Sequence, residues 1–271
     1  MNTNIRDIEC FLLDMDGTIY LGNELIDGAK EFLEELEIQN KRYIFMTNNS
    51  SKSKTTYVEK LRKLGINCHI DNIFTSGEAT AIYLTEKTQN PKVFLLGTKD
   101  LEEEFKNQGI KLVNNTNDKP DYVVLGFDTT LTYDKLWKAC DYLRDGVPYI
   151  ATHPDLNCPL EDGKYMPDTG SMMKLIEAST GKLPYIIGKP NKGIVEAISQ
   201  KFNISKSTMA MVGDRLYTDI LLGENSNITS VLVLSGETTM DDLERSDINP
   251  NYVFNSVKDI YNNIKEVDVL V

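Results

Sequence analysis

Short apolar runs alternate with longer amphipathic stretches along this chain, and that alternation narrows its fold more than any other feature. The apolar runs have the length of buried strands and lie at residues 8–13, 43–46, 209–212 and 230–234. The amphipathic stretches have the helical period and lie at residues 29–39, 54–64, 193–202 and 217–225. Apolar runs separated by helices in this way are typical of a parallel sheet with helices on both faces. The sequence therefore predicts an α/β fold with a doubly wound, Rossmann-like parallel sheet.

A second series of strand and helix patterns interrupts the first. Its strands are expected at residues 92–96, 122–125 and 149–151, and its helices at residues 101–107, 133–143 and 171–179. A polar stretch at residues 114–120 predicts a solvated loop among them. Because the series spans roughly a hundred residues, it is long enough to form a domain of its own. We therefore expect a core made of residues 1–78 and 183–271, and an inserted α/β domain at residues 79–182.

Composition and charge exclude several classes of protein. The 271 residues are 41% hydrophobic and carry a formal net charge of −12, so neither nucleic acid nor a membrane is an expected partner. No apolar run is long enough to span a bilayer, and the amino-terminal residues lack the apolar segment of a secretory signal. We expect a cytoplasmic protein with free thiols, because no zinc or disulfide spacing relates Cys10, Cys68, Cys140 and Cys158.

The first apolar run ends in Asp14-Met15-Asp16-Gly17-Thr18, which places two carboxylates two residues apart. Both can face one pocket only if the chain turns there, and Gly17 permits such a turn. Carboxylates this close repel each other unless a cation or a shared proton lies between them, and Mg²⁺ suits both oxygen ligands and phosphate. The alternative is a surface turn rich in Asp and Gly. A calcium-binding EF-hand loop is excluded because its twelfth position, Leu25, is not acidic.

Polar residues also follow the second run and a later strand pattern. Thr47, Asn48 and Asn49 offer hydroxyl and amide donors before a helix, where they either bind an anion or only cap the helix. The segment Gly188-Lys189-Pro190 follows an apolar stretch and holds a lysine beside a proline. Such a lysine is either a fixed positive charge for a phosphate or an ordinary surface residue.

The third apolar run ends in Gly213-Asp214, and Asp219 follows in the next helical pattern. Asp214 can supply a third carboxylate to the cation expected at Asp14. Asp219 can orient Lys189 or the groups around the cation, or it can simply stabilise the first turn of its helix. Because ligands bind at the carboxyl ends of the strands in an α/β sheet, we expect these groups to converge there.

Taken in order, these four motifs resemble those of the haloacid dehalogenase-like (HAD) phosphohydrolases, and the resemblance covers nearly the whole chain. The chain is most similar to subfamily IIA, which contains para-nitrophenyl-phosphate, phosphoglycolate, pyridoxal-phosphate and N-acetylglucosamine-operon phosphatases. That subfamily carries a large α/β cap at the place of the inserted domain, and such caps often hold a dimer interface. The resemblance therefore implies a cap at residues 79–182 and a homodimer formed through it.

The resemblance also implies a role for each motif residue. Asp14 would be the nucleophile that forms an aspartyl-phosphate, and Asp16 would act as acid and then as base. The implied Mg²⁺ ligands are the carboxylates of Asp14 and Asp214 and the backbone carbonyl of Asp16. Lys189 would act in catalysis, and Asp219 would support Lys189 or the metal ligands. The residues implied to bind the substrate are Thr47, Asn48, Asn49, Lys189 and, in the cap, Cys158.

These roles predict a Mg²⁺-dependent phosphatase of small phosphorylated metabolites, such as sugar phosphates or nucleotides. One alternative is a phosphotransferase or phosphomutase, which passes the phosphoryl group to an acceptor other than water. Another alternative is a non-catalytic protein that binds a phosphorylated metabolite. It is disfavoured because Asp14 and Asp16 are both present.

The chain departs from the family at two places. His153 stands where the family usually has Asn, and Asp168-Thr169 stands where it usually has a glycine-rich run. We expect His153 to be structural, because the mechanism needs no imidazole. In the pyridoxal-phosphate branch a histidine occupies the place of Cys158, so the sequence argues against that substrate.

Overall fold

The computed structural model describes residues 4–113, 118–160 and 164–265. The described residues within 1–46, 58–73 and 198–271 form one compact unit, and those within 47–57 and 74–197 form a second unit. The domain boundaries expected after residues 78 and 182 stay a prediction. Of the loop expected at residues 114–120, the first four positions lie outside the described residues.

Strands and helices alternate along most of the chain. In chain order the strands are β1 (Cys10–Leu13), β2 (Tyr20–Leu21), β3 (Glu24–Leu25), β4 (Arg42–Thr47), β5 (Ile73–Thr75), β6 (Lys92–Leu96), β7 (Lys111–Leu112), β8 (Tyr122–Leu125), β9 (Tyr149–Ala151), β10 (Asn157–Pro159), β11 (Tyr165–Pro167), β12 (Tyr185–Ile186), β13 (Met209–Gly213), β14 (Thr229–Val233) and β15 (Tyr252–Phe254). The helices are α1 (Ala29–Ile38), α2 (Lys54–Lys63), α3 (Ser76–Lys87), α4 (Lys99–Asn107), α5 (Tyr133–Arg144), α6 (Thr169–Thr180), α7 (Gly193–Phe202), α8 (Leu221–Ser226), α9 (Met240–Glu244) and α10 (Val257–Ile264).

The larger sheet has six strands in the order β15-β14-β13-β1-β4-β5. Neighbouring strands from β15 to β4 pair in parallel, and Leu13 of β1 pairs with Val212 of β13. The chain runs outward from β1 to β4 and β5 on one side, and later outward from β13 to β14 and β15 on the other. The strand order therefore reverses between β1 and β13, which is the point where doubly wound sheets bind ligands.

Burial explains why β1 and β13 form the centre of this sheet. Every residue of both strands is buried. Phe11 on β1 packs edge-to-face against Phe32 of α1, with ring centroids 5.7 Å apart. Fully burying a side chain of this size contributes roughly 1.5–3 kcal/mol, so strands composed in this way are stable only in the interior. The carboxyl ends of β1 and β13 are consequently fixed side by side.

The second sheet has five parallel strands in the order β12-β9-β8-β6-β7. In its core, the buried side chains of Leu96 and Leu125 from the sheet belong to one cluster with Leu143 of α5 and Ile176 of α6. The antiparallel hairpin β10–β11 is not a member of this sheet and forms a two-stranded sheet of its own.

The predicted α/β fold with parallel sheets is confirmed, and most element ends lie within two residues of the expected positions. The stretch at 217–225 differs, because a π-helical turn at Leu216–Ile220 precedes α8 there. Single π-helical turns are frequent at functional sites. All four cysteines are free thiols, as expected. Across the three described ranges, no helix is both long and apolar enough to cross a membrane.

Candidate active site

A tight turn at the end of β1 presents the first two acidic residues. The Asp14 backbone N–H donates to the carbonyl of Val212 at 2.9 Å, which extends the ladder between β1 and β13 by one residue. Beyond it, Gly17 has φ +86° and donates its N–H to the carbonyl of Tyr20 at 2.8 Å. A left-handed backbone of this kind favours glycine, so the sequence Asp-Gly is what lets the chain turn back here.

Three carboxylates meet at the reversal point of the larger sheet. Ligand oxygens of Asp14, Asp214 and Asp219 all lie within 4.8 Å of one another. Asp214 follows β13 and Asp219 lies in the π-helical turn, and both are almost completely buried. Because buried carboxylates repel each other strongly, a cation that shares their oxygens stabilises the arrangement. The donor set consists of hard oxygen atoms, and it therefore fits a magnesium ion.

Close backbone approaches hold the Asp214 carboxylate in place. A Cβ atom added at Gly17 or at Gly236 would overlap this carboxylate, so both positions need glycine. The backbone N–H of Glu237 donates to Asp214 Oδ2 at 2.7 Å, and the Ser235 hydroxyl donates to the carbonyl of Gly17 at 2.8 Å. The loop after β14 thus fixes both Asp214 and the turn that follows Asp14.

Asp219 and Arg215 belong to the same loop and helix turn. The backbone N–H of Arg215 donates to Asp219 Oδ2 at 3.2 Å, and a Cβ atom at Gly213 would overlap the Asp219 side chain. Arg215 Nε forms an ion pair with Glu237 Oε2 at 2.9 Å. Burial acts to lower the pKa of the Arg215 guanidinium, but the acidic groups of Tyr217 and Asp14 raise it overall. Arg215 therefore keeps a positive charge beside the carboxylate cluster.

Asp16 has a different environment from the clustered carboxylates. Solvent reaches its side chain, yet partial desolvation by the surrounding protein raises the pKa of its carboxyl group. The positive charge of Lys60 opposes this rise, and the negative charge of Asp14 adds to it. Lys60 in turn lies over the ring of Tyr20, with its Nζ atom 3.9 Å from the ring centroid. A carboxyl group with a raised pKa is better suited to donate a proton near neutral pH.

In the second unit, Asn48 binds the backbone of Lys189. The Lys189 N–H donates to Asn48 Oδ1 at 2.8 Å, and Asn48 Nδ2 donates to the Lys189 carbonyl at 3.0 Å. The same Nδ2 lies 3.2 and 3.3 Å from the two carboxylate oxygens of Asp155. A Cβ atom at Gly188 would lie 2.6 Å from Asn48 Oδ1, so this approach also needs glycine. The Asn48 amide therefore fixes the Lys189 main chain, which is a contact that the sequence did not predict.

The other predicted substrate-binding residues lie on a turn and on a hairpin. Thr47 Oγ1 accepts the backbone N–H of Asn49 at 3.1 Å, and Asn49 Oδ1 accepts the backbone N–H and the hydroxyl of Ser51 at 2.9 and 2.8 Å. Both side chains thus shape the turn between β4 and α2. Cys158 lies on β10 opposite Met166 and is partly exposed. The roles expected for these residues, and for the acidic cluster, stay predictions.

His153 and Asp168, two positions at which the sequence is expected to depart from the family pattern, lie together. His153 Nε2 and Asp168 Oδ1 are 2.9 Å apart, and both side chains are buried. With Asp155 they form a second group whose ligand atoms lie within 4.8 Å of one another. The complete burial of His153 agrees with the structural role expected for it.

Lys60 and Arg215 are neighbours of the acidic groups that the sequence alone did not predict. Arg215 directly follows Asp214, so its place in the motif was a usable signal. Lys60 lies on α2, far from Asp16 in the chain, and no local pattern distinguishes it from other helix lysines. Only the folded structure shows that the positive charge of Lys60 lies near enough to Asp16 to lower the pKa of its carboxyl group.

The fold and the site define a class of hydrolase. A family model described as haloacid dehalogenase-like hydrolase matches residues 11–111, and a second, described as HAD-hydrolase-like, matches residues 186–260. The chain belongs to the haloacid dehalogenase-like hydrolases.

The individual proteins to which this chain is similar include several phosphatases. The chain is 36% identical over 264 residues to the acid sugar phosphatase of Staphylococcus saprophyticus. The aligned residues cover 97% of this chain and 100% of the relative. It is similar to the crystal structure of 4-nitrophenylphosphatase from Thermotoga maritima, with a TM-score of 0.90 and 50% identity over 96% of this chain and 99% of the other. Glycerol phosphate phosphatase from Mycobacterium tuberculosis, solved in complex with magnesium, matches with a TM-score of 0.88 and 28% identity over 96% of this chain and 79% of the other.

These matches confirm three of the predictions made from the sequence. They confirm the family and its para-nitrophenyl-phosphatase subfamily, and they confirm the Rossmann-like fold with a second α/β unit. They also confirm the enzyme class, a phosphoric monoester hydrolase.

Proposed function

We propose that this protein hydrolyses small phosphomonoesters, sugar phosphates in particular, with Mg²⁺ as its cofactor and through an aspartyl-phosphate at Asp14. The observation that carries the proposal is the convergence of Asp14, Asp214 and Asp219 at the reversal point of the larger sheet. The relatives described as acid sugar phosphatase and as glycerol phosphate phosphatase with magnesium support the substrate class and the metal.

Electrostatics explains why the reaction needs this set of residues. A carboxylate and one phosphoryl charge about 3 Å apart repel each other by roughly 5 kcal/mol at an effective dielectric constant near 20. In the proposed roles, Lys189 and the donors on Thr47 would offset part of that repulsion. Asp14, Asp214 and the backbone carbonyl of Asp16 would hold Mg²⁺, which when bound supplies two further positive charges next to the phosphoryl oxygens.

The chemistry then divides between two carboxylates. A carboxylate oxygen of Asp14 attacks phosphorus, and the bond from phosphorus to the ester oxygen breaks. Asp16 gives its proton to the leaving alkoxide, a role that its raised pKa supports. Water then attacks the phosphorus of the aspartyl-phosphate, and Asp16 accepts a proton from this water molecule. The bond to Asp14 breaks, and inorganic phosphate is released.

Hydrolysis of para-nitrophenyl phosphate with and without metal tests this function. We expect nitrophenol release in the presence of Mg²⁺, a loss of activity in EDTA and recovery when excess Mg²⁺ is added, because the carboxylate cluster repels an anionic substrate without a cation. Inorganic phosphate should appear in equal amount without any added acceptor, which separates a hydrolase from a phosphotransferase. Full activity after exhaustive chelation would contradict the proposed cofactor. A panel of sugar phosphates, nucleotides, phosphoglycolate and pyridoxal phosphate then defines the substrate, and we expect sugar phosphates to rank first.

Replacing Gly17 by alanine should weaken the response to Mg²⁺. The new Cβ atom would overlap the Asp214 carboxylate, and the residue has φ +86°. We expect the Mg²⁺ concentration for half-maximal activity to rise at least about tenfold, because one predicted ligand is displaced. Gly65→Ala is the matched control, since Gly65 has φ +90° and nothing within 4 Å of the added Cβ atom. The control should lose about 1 kcal/mol of unfolding free energy and keep its Mg²⁺ response. Equal Mg²⁺ responses in the two variants would contradict the assignment.

A further inference from the structure

A hydrogen-bonded chain of side chains runs through His153. Its Nε2 atom lies 2.9 Å from Asp168 Oδ1, and its Nδ1 atom lies 2.9 Å from Thr152 Oγ1. Thr152 Oγ1 lies 3.0 Å from Ser50 Oγ, which accepts the backbone N–H of Phe127 at 2.9 Å. All of these groups are buried, so each proton in the chain needs an acceptor.

Counting the protons gives one consistent direction for this chain. Ser50 Oγ accepts from Phe127 and has one proton of its own, which it donates to Thr152 Oγ1. Thr152 then donates to His153 Nδ1, which must be unprotonated to accept. His153 Nε2 carries the ring proton and donates it to Asp168 Oδ1. A neutral His153 protonated at Nε2 therefore uses every proton once, whereas a protonated Nδ1 would leave the hydroxyl proton of either Thr152 or Ser50 without an acceptor in this chain of hydrogen bonds.

The His153 imidazole also lies next to the residues that hold the backbone of Asn48 and the backbone before Lys189. Ser76 Oγ, 3.5 Å from His153 Nδ1, donates a short hydrogen bond to the backbone carbonyl of Asn48. The carbonyl of Thr152 accepts the backbone N–H of Gly188 at 2.8 Å. The two chain segments that meet at the Asn48–Lys189 contact are thus both anchored next to His153.

Asp168 anchors a third segment to this arrangement. It caps α6, and its Oδ1 atom accepts the backbone N–H of Thr169. The next residue, Gly170, donates its N–H to the carbonyl of Asp155 at 2.7 Å, and a Cβ atom there would overlap the carbonyl of Pro154. The start of α6 therefore fixes the backbone of Asp155, whose carboxylate contacts the Asn48 amide.

We propose that His153, neutral and protonated at Nε2, and Asp168 are a pair of positioning residues that hold Asn48 and Lys189 in the geometry for binding phosphate. The phosphate-binding part of this inference rests on the proposed function. The two residues act through each other, because removing either leaves its buried partner without the hydrogen bond that orients it.

A double-mutant cycle with His153→Ala and Asp168→Ala measures this coupling. With para-nitrophenyl phosphate as substrate, we expect each single variant to lose about tenfold in kcat/KM, mainly through KM, with a parallel rise in the inhibition constant of inorganic phosphate. The double variant should lose no more than the worse single variant, since both remove the same contact. If the loss in kcat/KM of the double variant equalled the product of the two single losses, the two residues would not act as a pair. A wild-type KM in single variants that fold would also overturn the proposal. His69→Ala is the control, because His69 is the chain's second histidine and its side chain is exposed. We expect this variant to keep the wild-type kcat/KM.

Asp168→Asn separates a neutral hydrogen bond from an ion pair. The asparagine keeps an oxygen that accepts from a neutral imidazole, so we expect kcat/KM and the inhibition constant of phosphate to stay within about threefold of the wild-type values. A loss as large as that of Asp168→Ala would mean that His153 is charged, and would overturn the neutral assignment. Melting temperatures of all variants show whether any kinetic change merely reflects unfolding.

Nitrogen chemical shifts of the histidine rings test the assignment without reference to activity. The chain has only two histidines, which makes the signals simple to assign. We expect His153 at neutral pH to have a protonated Nε2 and an unprotonated Nδ1, and to give the same signals when Zn²⁺ or Mg²⁺ is added. A protonated Nδ1, or a shift caused by either metal, would overturn the hydrogen-bond assignment. A wild-type protein that hydrolyses no phosphomonoester would instead contradict the proposed function.

Discussion

The Asp14→Asn variant should lose nearly all activity towards para-nitrophenyl phosphate while keeping its fold. The amide that replaces the carboxylate is a poor nucleophile and a weaker ligand for a cation, so we expect kcat to fall by more than about 10³-fold. The melting temperature should be unchanged or slightly higher, because the change removes one of three mutually repelling charges within 4.8 Å. Steady-state kinetics and thermal unfolding on the same preparation measure the two effects.

An exposed aspartate supplies the control for that experiment. Asp247 is exposed, and Asp247→Asn makes the same chemical change at a residue that has no predicted catalytic role. We expect this variant to retain wild-type kinetics. A near-wild-type rate in Asp14→Asn would mean that another group attacks phosphorus, and the aspartyl-phosphate mechanism would then fail.

The Lys189→Ala variant should have the second largest effect. Lys189 is only 4% exposed, so its ammonium group is not an ordinary surface charge. Because the proposed role of Lys189 is to bind phosphoryl oxygens, we expect its removal to lower kcat/KM by about 10²-fold or more and to weaken binding of inorganic phosphate. Arginine should not restore activity at this position, because its planar guanidinium differs in shape from a compact ammonium.

A neighbouring lysine makes a matched control for Lys189. Lys192 is exposed, directly precedes α7 and pairs with Glu196 of that helix at 3.3 Å. Since exposed pairs of this kind contribute little, Lys192→Ala should change neither kcat/KM nor stability by a measurable amount. If Lys189→Ala and Lys192→Ala behaved alike, Lys189 would have no place in phosphate binding.

The acidic cluster could be predicted largely from the sequence because strand ends are local information and the carboxyl ends of parallel strands lie at one edge of a sheet. Apolar runs mark β1 and β13, and parallel pairing brings their carboxyl ends to one edge. Asp14 and Asp214 therefore had to lie close together. Asp219 was less predictable, since it was assumed to lie on an ordinary helix. The π-helical turn changes the angular position of its side chain and lets it join the cluster itself.

The hydrogen-bond partners within the second unit could not be predicted in the same way. Asn48 was expected to bind substrate, yet both polar atoms of its amide contact the Lys189 main chain, 141 positions away. His153 and Asp168 were recognised as separate departures from a family pattern, but their contact depends on the path of the chain between β9 and α6. Contacts of this kind follow from tertiary structure, and neither residue periodicity nor motif spacing reports them.

The pairing of β1 with β13 has a consequence for synthesis of the chain in the cell. Leu13 pairs with Val212, so one edge of β1 has no native partner until the 199 residues that follow Leu13, up to Val212, have been made. At typical elongation rates of about 5–20 residues per second, that wait is roughly 10–40 s, much longer than the folding time of a small domain. During translation, an apolar strand with an open edge is thus a target for chaperones and a risk for aggregation.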